Sequence, residues 1–190
     1  MEGKDSLPSN VCPSLIRRSG SGTLGAIEGL RGGGYTGKIT VISKEGYQPI
    51  DRTKLSKALL ADLSKAAWRQ KDFYKDASIE FVEGEVKGVD FSSKKVSTKS
   101  GQDFEYSKLV LATGGTPRWL PLDGLKGDLG NVFLLRTLPD AQNILKAVGD
   151  NGKKIVVVGS SFIGLEVGNC LASMKNDVTI VGMESRQSHH

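Results

Sequence analysis

Glycines at fixed spacing ahead of an apolar helix can cradle a phosphate, and this sequence carries two such sets. The first is Gly20-Ser21-Gly22-Thr23-Leu24-Gly25, a complete G-x-G-x-x-G. The second is Gly159-Ser160-Ser161-Phe162-Ile163-Gly164, with serine at the middle glycine position. In such turns the missing side chains let the backbone approach a pyrophosphate, which rests on the free N–H groups and positive end of the helix. An acid about twenty residues further on can accept hydrogen bonds from an adenosine ribose. Glu45 lies twenty positions after Gly25, and Glu184 twenty after Gly164. The Cβ of Ser161 narrows the approach of the phosphates, while its hydroxyl offers them a donor. Two copies of this spacing imply two nucleotide-bearing ligands, or one domain type used twice.

Such turns need a strand before them and a helix and strand after them. Around the second turn, Ile155 to Gly159 reads as a short buried parallel strand, Phe162 to Met174 as a helix, and Val178 to Val181 as a second strand. Around the first, Leu24, Ile27 and Leu30 have helical spacing, Gly32-Gly33-Gly34 is the expected stop, and Lys38 to Ser43 is the following strand. The strand expected before Gly20 would occupy residues 14–19, SLIRRS. Arg17 and Arg18, unpaired on a strand buried on both faces, would each cost several kcal/mol. That strand is therefore expected to be missing or replaced by unrelated sequence.

Between the two units, Gln48 to Leu60 reads as a loop opening a short helix, and Trp68 to Lys75 as another helical stretch. Ser78 to Tyr106 alternates in short runs, with turns at residues 92–94 and 100–102, and is expected to be an antiparallel meander. Lys108 to Thr113 is a buried strand running into Gly114-Gly115-Thr116-Pro117-Arg118, and Asp140 to Val148 is an amphipathic helix. The fold class is thus α/β: two Rossmann-like dinucleotide-binding units with an antiparallel β-meander insertion, incomplete at both ends. The expected division is an irregular segment 1–19, a first unit 20–130, a second 131–184 and a tail 185–190.

Composition narrows the function classes. Across 190 residues, 38% hydrophobic and 25% charged content are those of a globular protein. The net charge of +5 is scattered among acids, which argues against a nucleic-acid footprint. The two cysteines, Cys12 and Cys170, form no metal or redox spacing, and a reduced setting follows. His189 and His190 are the only histidines and read as a tail, so no metal site is expected. No run of apolar residues is long enough to span a membrane, and no secretory or transit signal is seen. A cytoplasmic location is expected, with mitochondrial association left open.

Taken in order, the first glycine turn, a D-R-x-x-L-S-K loop from Asp51 to Lys57, the meander, ATGGxPR from Ala112 to Arg118, and GxxFIGLE from Gly159 to Glu166 resemble one family. It is that of the FAD- and NAD(P)-binding pyridine nucleotide oxidoreductases, of the apoptosis-inducing-factor-like and ferredoxin or rubredoxin reductase type. The resemblance implies that Gly20, Gly22 and Gly25 lie under the FAD pyrophosphate, with Glu45, Arg52, Val86, Thr113, Gly114 and Arg118 also in the FAD site. It implies that Gly159, Ser161, Gly164 and Glu184 bind NAD(P)H, with NADH favoured because a carboxylate repels a 2′-phosphate. Lys57 and Glu166 match the family's lysine–glutamate pair near the flavin ring, where a lysine can stabilise the charge that reduction develops.

The implied activity is hydride transfer from NAD(P)H to FAD, with electrons passed on to an iron–sulfur protein or a quinone. The alternative is an inactive nucleotide-binding remnant or interaction fragment. Three departures from the family pattern stand out. Ile50 replaces a tyrosine, and Lys44 occupies the place of the expected ribose acid, with Glu45 next to it. No CxxxxC lies between Gln48 and Lys57, which excludes disulfide chemistry there. Because the sequence ends soon after Glu184, it is read as a truncated copy.

Overall fold

A computed structural model describes residues 14–16, 20–127, 129–150 and 152–183, the first three by backbone alone. The chain divides into two compact units: residues 1–50 with 67–115, and residues 51–66 with 116–190.

The first unit is built on β2 (Ile39–Ser43), whose sequence ITVIS is β-branched at four of five positions and buried at all five. Such a strand has no polar face to show water and needs cover on both sides. One side is supplied by α1 (Ser21–Gly32) and α4 (Lys71–Asp76): Ile39 and Val41 pack there with Leu24, Ile27 and Tyr74. The other is supplied by an antiparallel layer of β4 (Val86–Asp90), β5 (Lys95–Thr98) and β6 (Asp103–Glu105), where Ile42 meets Val96 and Tyr106. The parallel sheet runs β3–β2–β1–β7, with β1 at Ser14–Ile16, β3 at Ile79–Glu83 and β7 at Leu109–Leu111.

Several expectations change. The strands Leu109–Leu111 and Lys154–Val158, both expected to be buried, leave Leu111, Val156 and Val158 more than half exposed. The strand before the first glycine turn is present: β1 pairs in parallel with both β2 and β7, Leu15 opposite Val41 and Val110. The pairing ends at Ile16, so the strand is made from the residues that precede the arginines; Arg17 and Arg18 lie outside the described residues. The meander is also shorter than expected. Ile79–Glu83 pairs in parallel with Ile39–Ser43, and antiparallel pairing begins only at Val86. Alternation of apolar residues marks a strand without saying which neighbour it takes. Register is reinforced by Glu80, whose carboxylate accepts from Thr40 Oγ1 at 2.8 Å and pairs with Lys38 at 2.9 Å.

The second unit holds β8 (Lys154–Val158) and β9 (Asp177–Val181), paired in parallel around α6 (Phe162–Ser173). It also holds α2 (Thr53–Ala58), α3 (Leu63–Ala66) and α5 (Leu138–Val148). The start of α5 is fixed by a capping box between Thr137 and Asp140, with Pro139 in its first turn. Leu59 ends α2 in the left-handed region (φ 44, ψ 41) and is 1% exposed among Ile144, Val148, Val167 and Leu171. That conformation costs a leucine about 1–2 kcal/mol, and full burial of its side chain returns about 1.5–3 kcal/mol. Burial wins, and it ties α2 to α5 and α6.

Helix α6 sits close on its sheet because two of its residues are glycines. A Cβ at Gly164 would run into the Gly159 carbonyl oxygen, and one at Gly168 would lie 2.8 Å from Ile180 Cδ1. At Gly25, among the described residues, a Cβ would meet nothing within 4 Å. Gly164→Ala is therefore expected to lower stability by about 1–3 kcal/mol, since backbone must move. Gly25→Ala should leave it unchanged or raise it by about 0.5–1 kcal/mol, and chemical denaturation of both variants separates the two outcomes.

The Thr40–Glu80–Lys38 contact makes a pH prediction. The hydrogen bond from Lys38 and then that from Thr40 hold the Glu80 carboxyl below the usual glutamate range. A carboxyl whose folded pKa is depressed adds stability that is fully present above its unfolded pKa and is lost as pH falls through the folded one. Denaturation midpoints measured from pH 6 downward should fall less steeply in Glu80→Gln than in the natural sequence; parallel curves would contradict the assignment.

Candidate functional site

The first glycine turn opens α1 with Gly20 as an extended N-cap (φ −138, ψ −177) that makes no side-chain capping bond. The first turn of α1 carries no acid. Its positive end is thus uncompensated by its own side chains, the arrangement that favours a bound anion. Gly22 faces the turn that follows β7: a Cβ there would be 3.5 Å from Ala112 Cβ. Thr113 and Gly114 continue that turn and are exposed, Gly114 at φ +61. A side chain at position 22 would take up the space between the helix start and Ala112, which a bare position leaves open. A helix start without an acid, beside that open space, suits an anion such as a pyrophosphate.

At the end of β2, Ser43 is buried and its Oγ accepts from the Glu45 N–H at 3.2 Å. Lys44, in the place of the expected ribose acid, does not leave a bare cation there. Its ammonium pairs with Glu85 at 3.2 Å, and Glu85 also takes Lys99 at 2.9 Å. Those contacts, that of Lys99 first, hold the Glu85 carboxyl below the ordinary range. Val86, the residue matched to the adenine contact, follows directly and begins β4 beside a register shift between Val86 and Gly88.

The second turn starts its helix later in the motif, at Ser161 rather than at the first glycine. Gly159 takes φ +119, a conformation a side chain would resist, and its N–H donates to Val181 O at 2.7 Å. Ser161 is the extended N-cap of α6, exposed and without a side-chain capping bond, and no acid lies in the first turn. The serine hydroxyl is not drawn into capping its own helix. Ser160 packs against Gly182, where a Cβ would collide with its hydroxyl. Glu184 and Arg186 lie outside the described residues.

The remaining matched residues lie in the second unit, two on helices and two outside them. Arg52 precedes α2 and its Nη1 donates to the Arg136 carbonyl oxygen at 2.6 Å. Lys57 is on the exposed side of α2, and Arg118 is exposed in the loop after β7. Glu166 is half-buried on α6, and its Oε2 accepts from Ser56 Oγ at 2.5 Å. Among the described residues no ion pair joins Lys57 to Glu166. The reason is helical phase. Leu55, Ser56 and Leu59 share the buried side of this segment, and Lys57 follows one residue, about 100°, beyond Ser56.

Ser56 is the residue the sequence reading missed. Its neighbours Leu55 and Leu59, four apart, already mark the inward face, so a hydroxyl beside them was the available signal. Among the described residues no group of three or more His, Cys, Asp or Glu could hold a metal ion, and no helix is long and apolar enough to cross a membrane.

Comparison with known proteins bears on the whole arrangement. The profile of one family, pyridine nucleotide-disulphide oxidoreductase, matches residues 19–188. Apoptosis-inducing factor 3 of Mus musculus is 39% identical over 171 residues, covering 90% of this chain and 28% of that protein. Rubredoxin-NAD(+) reductase of Pseudomonas putida is 33% identical over 168 residues, covering 85% and 43%. Among solved structures, a ferredoxin reductase from Rhodopseudomonas palustris superposes with a TM-score of 0.83 at 31% identity, covering 93% of this chain and 44% of the other. The chain thus spans less than half the length of these relatives. With its sequence matched from residue 19 to residue 188, the chain belongs to the pyridine nucleotide-disulphide oxidoreductase family, whose cofactors are FAD and NAD(P)H.

Proposed function

We propose that the protein passes a hydride from NAD(P)H to FAD and the electrons on to a small iron–sulfur protein. In this reading residues 20–130 serve FAD and residues 131–184 serve NAD(P)H. The observation that carries it is the pair of glycine turns, each opening onto a helix start with no side-chain cap and no acid in its first turn. One such turn suits any nucleotide protein; two in one chain suit a pair of dinucleotides. Relatives named for rubredoxin and for the ferredoxin of biphenyl dioxygenase, together with a structural neighbour captured with putidaredoxin, favour a protein acceptor over a quinone.

FAD would supply the two-electron acceptor that a side chain cannot. The chain's own residues bind and orient. Gly20, Gly22 and Gly25 would admit the FAD pyrophosphate to α1, with Thr113 and Gly114 in the same site, Glu45 on the ribose and Val86 at the adenine. Gly159, Ser161 and Gly164 would do the same for NAD(P)H at α6, and Glu184 would favour NADH by accepting from a 2′-hydroxyl. Lys57 and Glu166 are assigned to hydride transfer. Lys57 would offset negative charge on the reduced flavin, and Glu166 would orient what lies against α6.

The reading is tested by anaerobic titration of the chain, supplemented with FAD, with NADH. Bleaching of the flavin colour in proportion to NADH is expected. Nucleotide binding without bleaching would leave the inactive remnant as the better account. Dissociation constants complete the test, with NADH expected to bind more tightly than NADPH and Glu184→Ala expected to narrow the gap.

Lys57 gives a separable prediction because its side chain is exposed. Lys57→Met should slow flavin reduction about tenfold, a barrier change of about 1.4 kcal/mol. Stability should stay within about 0.5 kcal/mol. Unchanged reduction would remove Lys57 from the mechanism.

A further inference from the structure

We infer that Ser56 is a positioning residue for Glu166, holding its carboxylate in one orientation from the neighbouring helix. A half-buried carboxylate has lost part of its hydration and needs donors in exchange. On α2 the inward positions are Leu55, Ser56 and, just past the helix, Leu59; Ser56 is 6% exposed and is the polar member of the three. Its Oγ lies 2.5 Å from Glu166 Oε2 and 3.1 Å from the Thr53 carbonyl oxygen. A serine hydroxyl has one proton, so it can donate to only one of these acceptors at a time. The carboxylate oxygen is the nearer of the two and the stronger acceptor, so the hydroxyl donates to it. The Thr53 carbonyl, one helical turn back, is a fallback acceptor.

This arrangement is asymmetric. Removing Glu166 lets the hydroxyl turn to Thr53 and strands nothing. Removing the hydroxyl leaves a half-buried carboxylate without its donor, and Lys57, on the exposed side of the helix, is not placed to replace it. The anchoring of Leu59 among Ile144, Val148, Val167 and Leu171 keeps α2 against α6, so the distance between the two helices does not relax to hide the loss. Ser56 therefore fixes which way Glu166 points, and the role given to Glu166 in the proposed function rests on that orientation.

The test is a double-mutant cycle in the full 190-residue chain without added cofactor, read by chemical denaturation. Ser56→Ala should lower the folding equilibrium constant about fivefold to tenfold, the loss expected when a half-buried charged acceptor loses its donor. Glu166→Leu should cost clearly less. The double variant should be more stable than Ser56→Ala alone, because the stranded charge is gone. A double variant that folds where Ser56→Ala does not is the extreme form of the same result. Additive costs, or a double variant no more stable than Ser56→Ala, would overturn the proposal.

A second readout separates orientation from packing: the side-chain carboxyl carbon of Glu166, followed by NMR in glutamate-labelled chain. Its resonance should shift in Ser56→Ala and return toward the natural position in Ser56→Thr, which keeps the hydroxyl. A resonance indifferent to both changes would contradict the inference. Flavin reduction is measured in parallel. If the natural chain reduces no flavin while the cycle is coupled, the proposed function fails and the Ser56–Glu166 link stands.

Discussion

The space that both turns depend on is the gap between a strand's end and the helix that follows it. At the second turn the constraint is visible in full: position 164 has no room for a Cβ against the Gly159 carbonyl, and position 168 has little against Ile180. A helix that close to its strands brings its first N–H groups to the sheet's C-terminal edge, where a phosphate can reach them. The close approach therefore comes before any ligand chemistry. The first turn achieves its cradle differently, by leaving position 22 bare against Ala112 rather than by jamming position 25. Two turns with the same glycine spacing thus draw on different glycines for packing and for access.

What could be read from the sequence follows how local each signal is. Both glycine turns, the all-buried strand Ile39–Ser43 and helix α6 were legible because each is written in consecutive residues. The strand Ser14–Ile16 was not, because three residues followed by two arginines carry too short a pattern; its place is set by β2 and β7 on either side. The same non-local choice put Ile79–Glu83 into the parallel sheet instead of the meander. Strand pairing is decided by which neighbours are available, and sequence alternation is silent on that.

The site shows the same division. Glycines, the ATGG turn and Glu166 were singled out by spacing and by family likeness. Ser56 was not, because its importance comes from facing Glu166 across a gap of 110 positions in sequence. Lys57 drew attention as a charge, yet helical phase turns it outward and gives the inward place to the serine beside it. A charged residue in a motif announces itself, while a small donor that serves a carboxylate does so only once the helices are packed. The Lys44–Glu85–Lys99 cluster is similar: Lys44 looked like a defect in the ribose position, and the structure shows its charge already taken up by Glu85.

The central claim is that the first glycine turn is a cradle for the FAD pyrophosphate, open because position 22 has no side chain. The direct measurement is the affinity of the chain for FAD, by equilibrium dialysis, beside that of Gly22→Val. The account predicts that the natural sequence binds FAD and that the valine, set into the space before Ala112, weakens binding at least tenfold, about 1.4 kcal/mol, while thermal stability changes little. Equal affinities for the two proteins would place the flavin elsewhere and contradict the account.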